Sequence, residues 1–324
     1  MRRFIFVVCL IAVFYAFGQR TPSTLAQSYP DRPIQVVIPA PPGSIIDITG
    51  RVLAEEMGKI LGTQLVPMNK PGGSLTLGTD VVARSEKDGY TIGYTANAAV
   101  VYARVSKPKI VPYDPDRDLE PLGLAVFVPV AVAVQAGAPW KTFSELVEYS
   151  KKNPGKARIS TPGRTTVATF TLAVTEALTG AQFTQVPFKG GASVITALLG
   201  GHVELTYDAV SKIIPHVKSG KLRILLLSKK MSEFSDVPSI TDLGFDRDLP
   251  SIWFAWYAPA GVPEEVKKVL IPAIEKAIKN PVIKAKFENM GYVVDYKSPP
   301  ELRNLAKEEY KTASEIADKL GLRK

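Results

Sequence analysis

The chain has 324 residues, of which 46% are hydrophobic and 22% are charged. A chain of this length usually folds into about two domains, and its composition excludes a fibrous or wholly disordered protein. The formal net charge is +9, from 40 basic and 31 acidic residues. Because the basic residues never form a run longer than two, we expect no nucleic-acid partner, since such proteins concentrate Lys and Arg on one face or arm.

The first 26 residues have the pattern of an export signal. Met1-Arg2-Arg3 is a short basic start, and residues 4–17 form an uncharged apolar run of 14 residues. That length suits the core of a signal peptide, whereas a membrane-spanning helix needs about 20 residues. Thr24 and Ala26 supply the small residues that signal peptidase prefers, so we expect cleavage near Ala26. An uncleaved membrane anchor is the alternative.

Residues 34–95 alternate between strand and helix patterns. Apolar residues fall at helical spacing before Gly62, namely Ile48, Val52, Leu53, Met57 and Ile60. The pattern predicts strands over 34–39, 65–66 and 90–95, with helices over 48–60 and 79–85. Such alternation predicts a mostly parallel sheet with helices on both faces.

A β-rich stretch over 122–134 interrupts the alternation, which then resumes. Helices are predicted over 143–152, 167–178, 194–199 and 213–218, and strands over 157–160, 186–188, 203–207 and 222–227. Residues 228–251 have a loop-rich composition, and a further strand is predicted over 253–258. The chain ends in three predicted helices, over 264–279, 281–290 and 302–320.

Residue types needed for several kinds of catalytic and metal site are scarce. The single cysteine, Cys9, lies in the apolar N-terminal run, and the two histidines are His202 and His216. The chain has no Gly-x-Gly dinucleotide fingerprint, no phosphate-binding loop and no Gly-x-Ser-x-Gly elbow. We therefore predict no cofactor, no metal ion and no catalytic residues.

Two predicted strands end in similar corners, Pro42-Gly43-Ser44 and Pro162-Gly163, each followed by a helix. Ligands of open α/β sheets bind beyond such strand ends, and a helix N-terminus attracts anions. The glycines allow close approach to the backbone, and hydroxyl donors lie beside them at Ser44, Thr161, Thr165 and Thr166. Two facing corners could each hold one carboxylate of a small diacid. For either corner alone, turn formation and helix capping are the favoured explanation, whereas the matched pair favours binding.

Motifs along nearly the whole chain carry a family resemblance. They are Val37-Ile38-Pro39-Ala40-Pro41-Pro42-Gly43 with Asp47, Asn69-Lys70-Pro71-Gly72-Gly73, Asp88-Gly89-Tyr90-Thr91, Pro112-Tyr113-Asp114, Val186-Pro187-Phe188-Lys189-Gly190, Leu198-Leu199-Gly200-Gly201-His202-Val203-Glu204-Leu205 and Ala258-Pro259-Ala260-Gly261-Val262-Pro263. In this order the motifs are highly specific. The chain resembles the Bug-type periplasmic solute-binding receptors of tripartite tricarboxylate transporters.

The resemblance implies an α/β, two-lobed periplasmic binding protein of the type II-like class, with two crossover segments between its lobes. Lobe 1 is expected to comprise residues 27–128 and 252–324, and lobe 2 residues 129–251. The expected function is to capture a small carboxylated solute between the lobes and deliver it to the membrane permease subunits. No coiled-coil heptad is present, and a monomer is expected.

The resemblance also implies a set of ligand-binding residues. They are Gly43, Ser44, Asp47, Thr95, Asn97, Thr161, Gly163, Arg164, Thr165, Thr166, Lys189, Gly190 and Asp208. The family pattern usually has a glycine where Thr165 stands, and small or hydroxyl residues where Ile45 and Ile46 stand. If these isoleucines face Arg164 across the cleft, the ligand is a carboxylate with a hydrocarbon or aromatic body.

Two other functions remain open at this point. A sensory receptor of the same fold would pass its closed state to a membrane signalling protein. An exported enzyme would use Lys189 and Asp208 as an acid–base pair in the same cleft.

Overall fold

The computed structural model describes residues 29–164, 166–188, 191–319 and 321. Its strands form one six-stranded and one five-stranded sheet, each flanked by helices, and this confirms the two-lobed α/β fold. The predicted signal peptide, residues 1–26, lies outside the described residues. Within the described ranges, the helices are too short or too polar to span a bilayer.

The secondary structure follows the predicted alternation through most of the chain. The strands are β1 (Ile34–Ile38), β2 (Leu65–Asn69), β3 (Thr91–Ala96), β4 (Leu119–Val128), β5 (Val130–Gln135), β6 (Arg158–Thr161), β7 (Thr184–Pro187), β8 (Leu205–Ala209), β9 (Leu222–Leu227), β10 (Ile252–Pro259) and β11 (Val293–Lys297). The α-helices are α1 (Ile45–Leu61), α2 (Thr76–Ala83), α3 (Ala103–Ser106), α4 (Pro115–Asp118), α5 (Phe143–Lys152), α6 (Val167–Thr179), α7 (Gly191–Leu199), α8 (Val210–Lys218), α9 (Glu264–Lys279), α10 (Pro281–Asn289) and α11 (Pro299–Lys319).

The six-stranded sheet has the strand order β11-β4-β10-β3-β1-β2. Strand β1 is parallel to β2 and β3, with Val36 paired to Pro67 on one side and to Ile92 on the other. Strand β10 runs antiparallel to both β3 and β4, and β11 runs antiparallel to β4. The sheet therefore has a parallel half and an antiparallel half.

The five-stranded sheet has the strand order β7-β6-β8-β5-β9 and is mixed in the same way. Strand β6 is parallel to β7 and β8, whereas β5 is antiparallel to β8 and β9. The helix–strand alternation predicted the parallel halves, because parallel neighbours need a crossover helix. Strands β5 and β10 each follow a strand of the other sheet along the chain and pair antiparallel with their neighbours. Each sheet therefore has more antiparallel pairs than the predicted alternation indicates.

The chain passes between the two sheets at residues 128–130 and again at 227–252. Strand β4 ends at Val128 and β5 begins at Val130, so the predicted β-rich stretch is two buried strands in different sheets. Pro129 separates them, and proline cannot donate a hydrogen bond to a sheet.

Buried serine hydroxyls join these two crossing segments. The Ser228 hydroxyl accepts a hydrogen bond from the Val130 N–H at 2.9 Å and lies 2.7 Å from the Ser251 hydroxyl. In return, the Ser228 N–H donates to the Val130 carbonyl at 2.9 Å. Because both hydroxyls are buried, losing either partner would leave a buried polar group unsatisfied.

Strand β11, residues 98–106 and the short helix α4 were not predicted from the sequence. Strand β11 is an edge strand, and all five of its residues are only partly buried. Because neither face is fully buried, its sequence shows only a weak alternation of apolar and polar residues. Residues 98–106 form a π-helical segment, Ala98–Tyr102, followed by α3. This stretch has a nearly continuous apolar run at its start, which gives no clear periodicity.

At Gly78, helix α2 packs closely on its surroundings. A Cβ at this position would lie 2.7 Å from the Pro39 Cα and 2.7 Å from the Lys70 carbonyl oxygen, which are backbone atoms. Overpacking costs about 1–3 kcal/mol and opposes the roughly 1 kcal/mol that alanine gains in a helix. We expect Gly78→Ala to lower the free energy of unfolding by up to about 2 kcal/mol, measured by urea denaturation.

The matched control is Gly137→Ala, because no atom lies within 4 Å of the Cβ that it would add. This variant should change the free energy of unfolding by less than about 0.5 kcal/mol. Equal stabilities for the two variants would contradict the close contact at Gly78.

Candidate functional site

The first predicted corner, between β1 and α1, is a largely exposed turn. Gly43 has a φ of +77°, which favours glycine, and no atom lies within 4 Å of the position of a Cβ. Ser44 is the N-cap residue of α1, and its hydroxyl donates to the Pro41 carbonyl at 2.7 Å. The hydroxyl is therefore used within the turn.

The Asp47 carboxylate stabilises this turn through hydrogen bonds. One carboxylate oxygen accepts the Gly43 N–H at 2.9 Å, and the other accepts from Arg51 Nε at 2.9 Å and from Asn69 Nδ2 at 2.8 Å. Burial favours a higher pKa for Asp47, but these hydrogen bonds and the Arg51 charge outweigh it and lower the pKa. Both oxygens of the ionised Asp47 accept hydrogen bonds, and through Asn69 they link the turn to the end of β2.

Thr95 and Asn97, at the end of β3, are both buried and have partners within the protein. The Thr95 hydroxyl lies 2.9 Å from the Thr79 hydroxyl on α2. Asn97 Nδ2 donates to the Ser251 carbonyl at 2.8 Å, and Asn97 Oδ1 accepts the Trp253 N–H at 3.4 Å. Both side chains therefore connect elements of the fold.

The second predicted corner, between β6 and α6, is held by threonine hydroxyls. The Gly163 carbonyl accepts hydrogen bonds from Thr161 Oγ1 at 3.0 Å and from Thr169 Oγ1 at 2.6 Å. Gly163 has a φ of +151°, and a Cβ there would lie 3.1 Å from the Thr166 Cγ2 atom. Thr166 is the N-cap residue of α6, and its side chain accepts the Thr169 N–H.

A cavity of about 290 Å³ lies between the two sheets, beside this second corner. Its polar lining comes from both sides: Ser74, Ser106, Lys107, Thr166, Asp208 and Lys212. Its larger apolar side chains are Leu75, Val167, Ile252 and Phe254. A volume near the lower end of the usual range for small-molecule sites indicates a small ligand.

The cavity brings together only part of the predicted set. Thr166 and Asp208 line it. Gly43, Ser44, Asp47, Thr95, Asn97, Thr161, Gly163 and Arg164 are absent from the lining that the described residues form. Thr165, Lys189 and Gly190 lie outside the described residues.

On the side of the six-stranded sheet, the cavity wall includes an unusual turn, Gly73–Leu75, that the ligand-residue prediction missed. Gly73, Ser74 and Leu75 have φ values of 58°, 56° and 76°, so two non-glycine residues adopt the left-handed conformation. Such strain costs about 1–3 kcal/mol per residue and tends to occur at functional sites. The sequence signal was Gly72-Gly73, shortly after the end of β2, a pair that permits this turn.

On the side of the five-stranded sheet, the cavity wall contains an ion pair between buried Asp208 and partly exposed Lys212. The Asp208 carboxylate accepts the Ala209 N–H at 2.7 Å, and Lys212 Nζ lies 3.1 and 3.3 Å from its two oxygens. Only 1% of Asp208 is exposed, whereas the Lys212 side chain is 38% exposed. Lys212 was missed from the sequence, because Asp208 belongs to β8 and Lys212 to α8, so the pair does not have the pattern of a single helix.

Ile45 and Ile46 do not face Arg164 across the cavity. Ile46 is 4% exposed and belongs to the hydrophobic core beneath α1, and Ile45 packs against that core. Arg164 is exposed. The helix begins at Ile45, so Ile46, Leu53 and Met57 fall on its buried face. The apolar wall of the cavity is built instead by Leu75, Val167, Ile252 and Phe254.

Comparison with known proteins assigns the chain to a family. The family model described as tripartite tricarboxylate transporter family receptor matches residues 49–322. The chain belongs to this receptor family. A protein of Cupriavidus necator, described as the UPF0065 protein in the gbd 5' region, is 33% identical over 330 residues, covering 100% of this chain and 98% of its own length.

Solved structures of periplasmic receptors have the same fold as this tricarboxylate-transporter-type receptor. The periplasmic binding protein BugD is 28% identical, with a TM-score of 0.70 and coverage of 91% of this chain and 99% of BugD. MatC from Rhodopseudomonas palustris, solved with bound malate, is 25% identical, with a TM-score of 0.70 and coverage of 89% and 99%. Family and fold are those of solute-binding receptors.

The receptor has a second, larger cavity of about 830 Å³, bordered by α11 and by residues 246–251. Its lining carries six carboxylate side chains and four cationic ones, and this balance does not favour an anionic ligand. Glu309 lies on its wall and is partly buried. Its Oε2 atom accepts from Trp253 Nε1 at 2.9 Å and from Asn97 Nδ2 at 3.4 Å.

Burial raises the pKa of Glu309 from 4.5 to about 8, although the hydrogen bonds from Trp253 and Asn97 oppose the shift. The folded state therefore binds this proton more tightly than the unfolded state does. The resulting stability is fully present below about pH 4.5 and is lost as the pH rises through about 8.

We expect the variant Glu309→Gln, which is neutral at every pH, to remove this dependence. The free energy of unfolding of the variant should gain on that of wild type as the pH rises from about 5 to about 9. Denaturant unfolding at several pH values measures the difference. Glu308→Gln, which changes an exposed neighbour, is the control, and a parallel pH dependence for all three proteins would refute the raised pKa.

Proposed function

We propose that this receptor binds a small carboxylate in the 290 Å³ cavity and delivers it to the permease subunits of a tripartite tricarboxylate transporter. The observation that carries the proposal is the cavity itself, whose wall combines residues of both sheets with a helix N-terminus. Malate bound to the related receptor MatC supports a carboxylate ligand. We propose that the mature protein acts in the periplasm as a monomer, after removal of residues 1–26.

The N-terminus of α6 suits one carboxylate of the ligand. Thr166, Val167 and Ala168 form the start of this 13-residue helix and line the cavity. The first N–H groups of a helix have no partner within it, and the helix dipole adds partial positive charge there. A carboxylate at this point would accept those N–H groups.

The apolar part of the wall suits a hydrocarbon ligand body. Leu75 and Phe254 come from the six-stranded side, and Val167 comes from the five-stranded side. Burial of ligand methylenes against them contributes about 0.8 kcal/mol each. Against these apolar side chains a hydroxyl group of citrate or a sugar acid would have no hydrogen-bond partner. We therefore propose carboxylates with an alkyl or aromatic part as ligands.

The proposed role is binding without catalysis. Asp208, the acid–base candidate in the cavity, is already engaged by the Lys212 ammonium and the Ala209 N–H. Both of its oxygens are therefore occupied by contacts within the protein.

Thr166 allows a test that keeps the helix capped. Asp and Asn are both good N-cap residues, so Thr166→Asp and Thr166→Asn should fold with similar melting temperatures. The new carboxylate of Thr166→Asp would repel the ligand at the helix N-terminus. We expect it to weaken binding at least about tenfold in calorimetry, while Thr166→Asn stays within a few-fold of wild type.

The ligand for this test would come from native mass spectrometry of protein purified without refolding, supported by a thermal-shift screen of carboxylates. Equal affinities of the two variants for the best carboxylate would remove the α6 N-terminus from the site. Strongest stabilisation by citrate or a sugar acid would contradict the proposed apolar contact.

We further propose that residues 27–128 with 252–324 form one rigid lobe and residues 129–251 the other. A ligand that contacts both walls of the cavity should bring the lobes together, since hinge closure around a ligand is common among periplasmic receptors. Small-angle X-ray scattering should show a smaller radius of gyration at saturating ligand. An unchanged radius, with saturation confirmed by calorimetry, would exclude closure.

A further inference from the structure

Two lysines border the cavity between the sheets, and their electrostatic surroundings differ. Lys212 forms the ion pair with buried Asp208 described above, at 3.1 Å. Lys107 is exposed and has no ion-pair partner among the described residues. Within the described part of the lining, Lys107 is therefore the cation whose charge is not neutralised.

Lys107 lies where its charge can attract a ligand carboxylate. It directly follows α3, in the part of the chain that belongs with the six-stranded sheet, whereas the N-terminus of α6 belongs with the five-stranded sheet. The cavity thus has one positive group on each side. The apolar side chains of Leu75 and Val167 also line the cavity.

We propose that Lys107 binds the second carboxylate of the ligand and thereby makes the receptor prefer dicarboxylates to monocarboxylates of the same chain length. The inference rests on the proposed function, because it takes the α6 N-terminus as the position of the first carboxylate. The sequence had predicted the turn at Gly43 and Ser44 for this role.

The Asp208–Lys212 pair supports this division of roles. An ammonium already paired with a buried carboxylate offers little net attraction to an approaching anion. The pair therefore leaves two favourable anion positions on the described wall, one at the α6 N-terminus and one at Lys107.

The experiment compares matched ligands on matched variants by calorimetry. The ligands are the pairs succinate and butyrate, glutarate and pentanoate, and adipate and hexanoate. The proteins are wild type, Lys107→Gln and Lys109→Gln. Lys109 is an exposed lysine two residues further along that does not line the cavity, so its variant controls for the general loss of one positive charge.

We expect wild type and Lys109→Gln to bind the best dicarboxylate at least about tenfold more tightly than its matched monocarboxylate, as a charge-assisted contact implies. In Lys107→Gln this ratio should fall to about one, with the monocarboxylate affinity unchanged. The ratio isolates the second carboxylate, because any effect on the rest of the site cancels.

The possible outcomes separate the two proposals. If Lys107→Gln keeps the wild-type ratio, or if wild type shows no preference for the dicarboxylate, the role of Lys107 is wrong while carboxylate binding stands. If both lysine variants lose the preference equally, only the overall charge matters and the role of Lys107 is again wrong. If wild type binds none of the six acids, the proposed function fails, and the inference fails with it.

Discussion

The buried side chain of Asn97 connects the parts of this receptor on which its binding geometry depends. Its amide nitrogen donates to the Ser251 carbonyl, and its oxygen accepts from the Trp253 backbone at the start of β10. Ser251 in turn contacts Ser228, which pairs with Val130. Because a buried amide without partners costs about 1–3 kcal/mol, this set of hydrogen bonds holds the end of β3 against both crossing segments. The residues on either side of Asn97, Ala96 and Ala98, line the cavity.

The two buried aspartates near the predicted corners have hydrogen-bond and ion-pair partners within the protein. Asp47 and Asp208 are almost fully buried, and each is satisfied by a backbone N–H together with a cationic side chain. A buried charge without such partners would be costly. The same pairing largely cancels their negative charge for an approaching anionic ligand. The positions that favour an anion are then set by helix N-termini and by Lys107, which has no ion-pair partner among the described residues.

The candidate site was only partly predictable, because its residues come from segments far apart in the chain. Thr166 could be predicted as a helix N-cap and Asp208 by family resemblance, and both line the cavity. Gly43 and Asp47 have the residue types of an anion-binding turn, but their hydrogen bonds are used within it. Ser74 and Lys107 reach the cavity through a left-handed turn and a helical segment after β3, and local sequence patterns do not indicate which way these segments face.

By itself the sequence determined the alternation of helices and strands, the two α/β lobes and the family, because periodicity and ordered motifs are local properties of the chain. The tertiary structure alone decided how the sheets are composed. The single apolar run over 122–134 is divided between them at Pro129, and β10 returns antiparallel to β3 and β4. It also decided which charges remain unpaired, since Lys212 meets Asp208 while Lys107 has no ion-pair partner among the described residues. Pairing of this kind depends on distances between folded elements, which spacing along the chain does not specify.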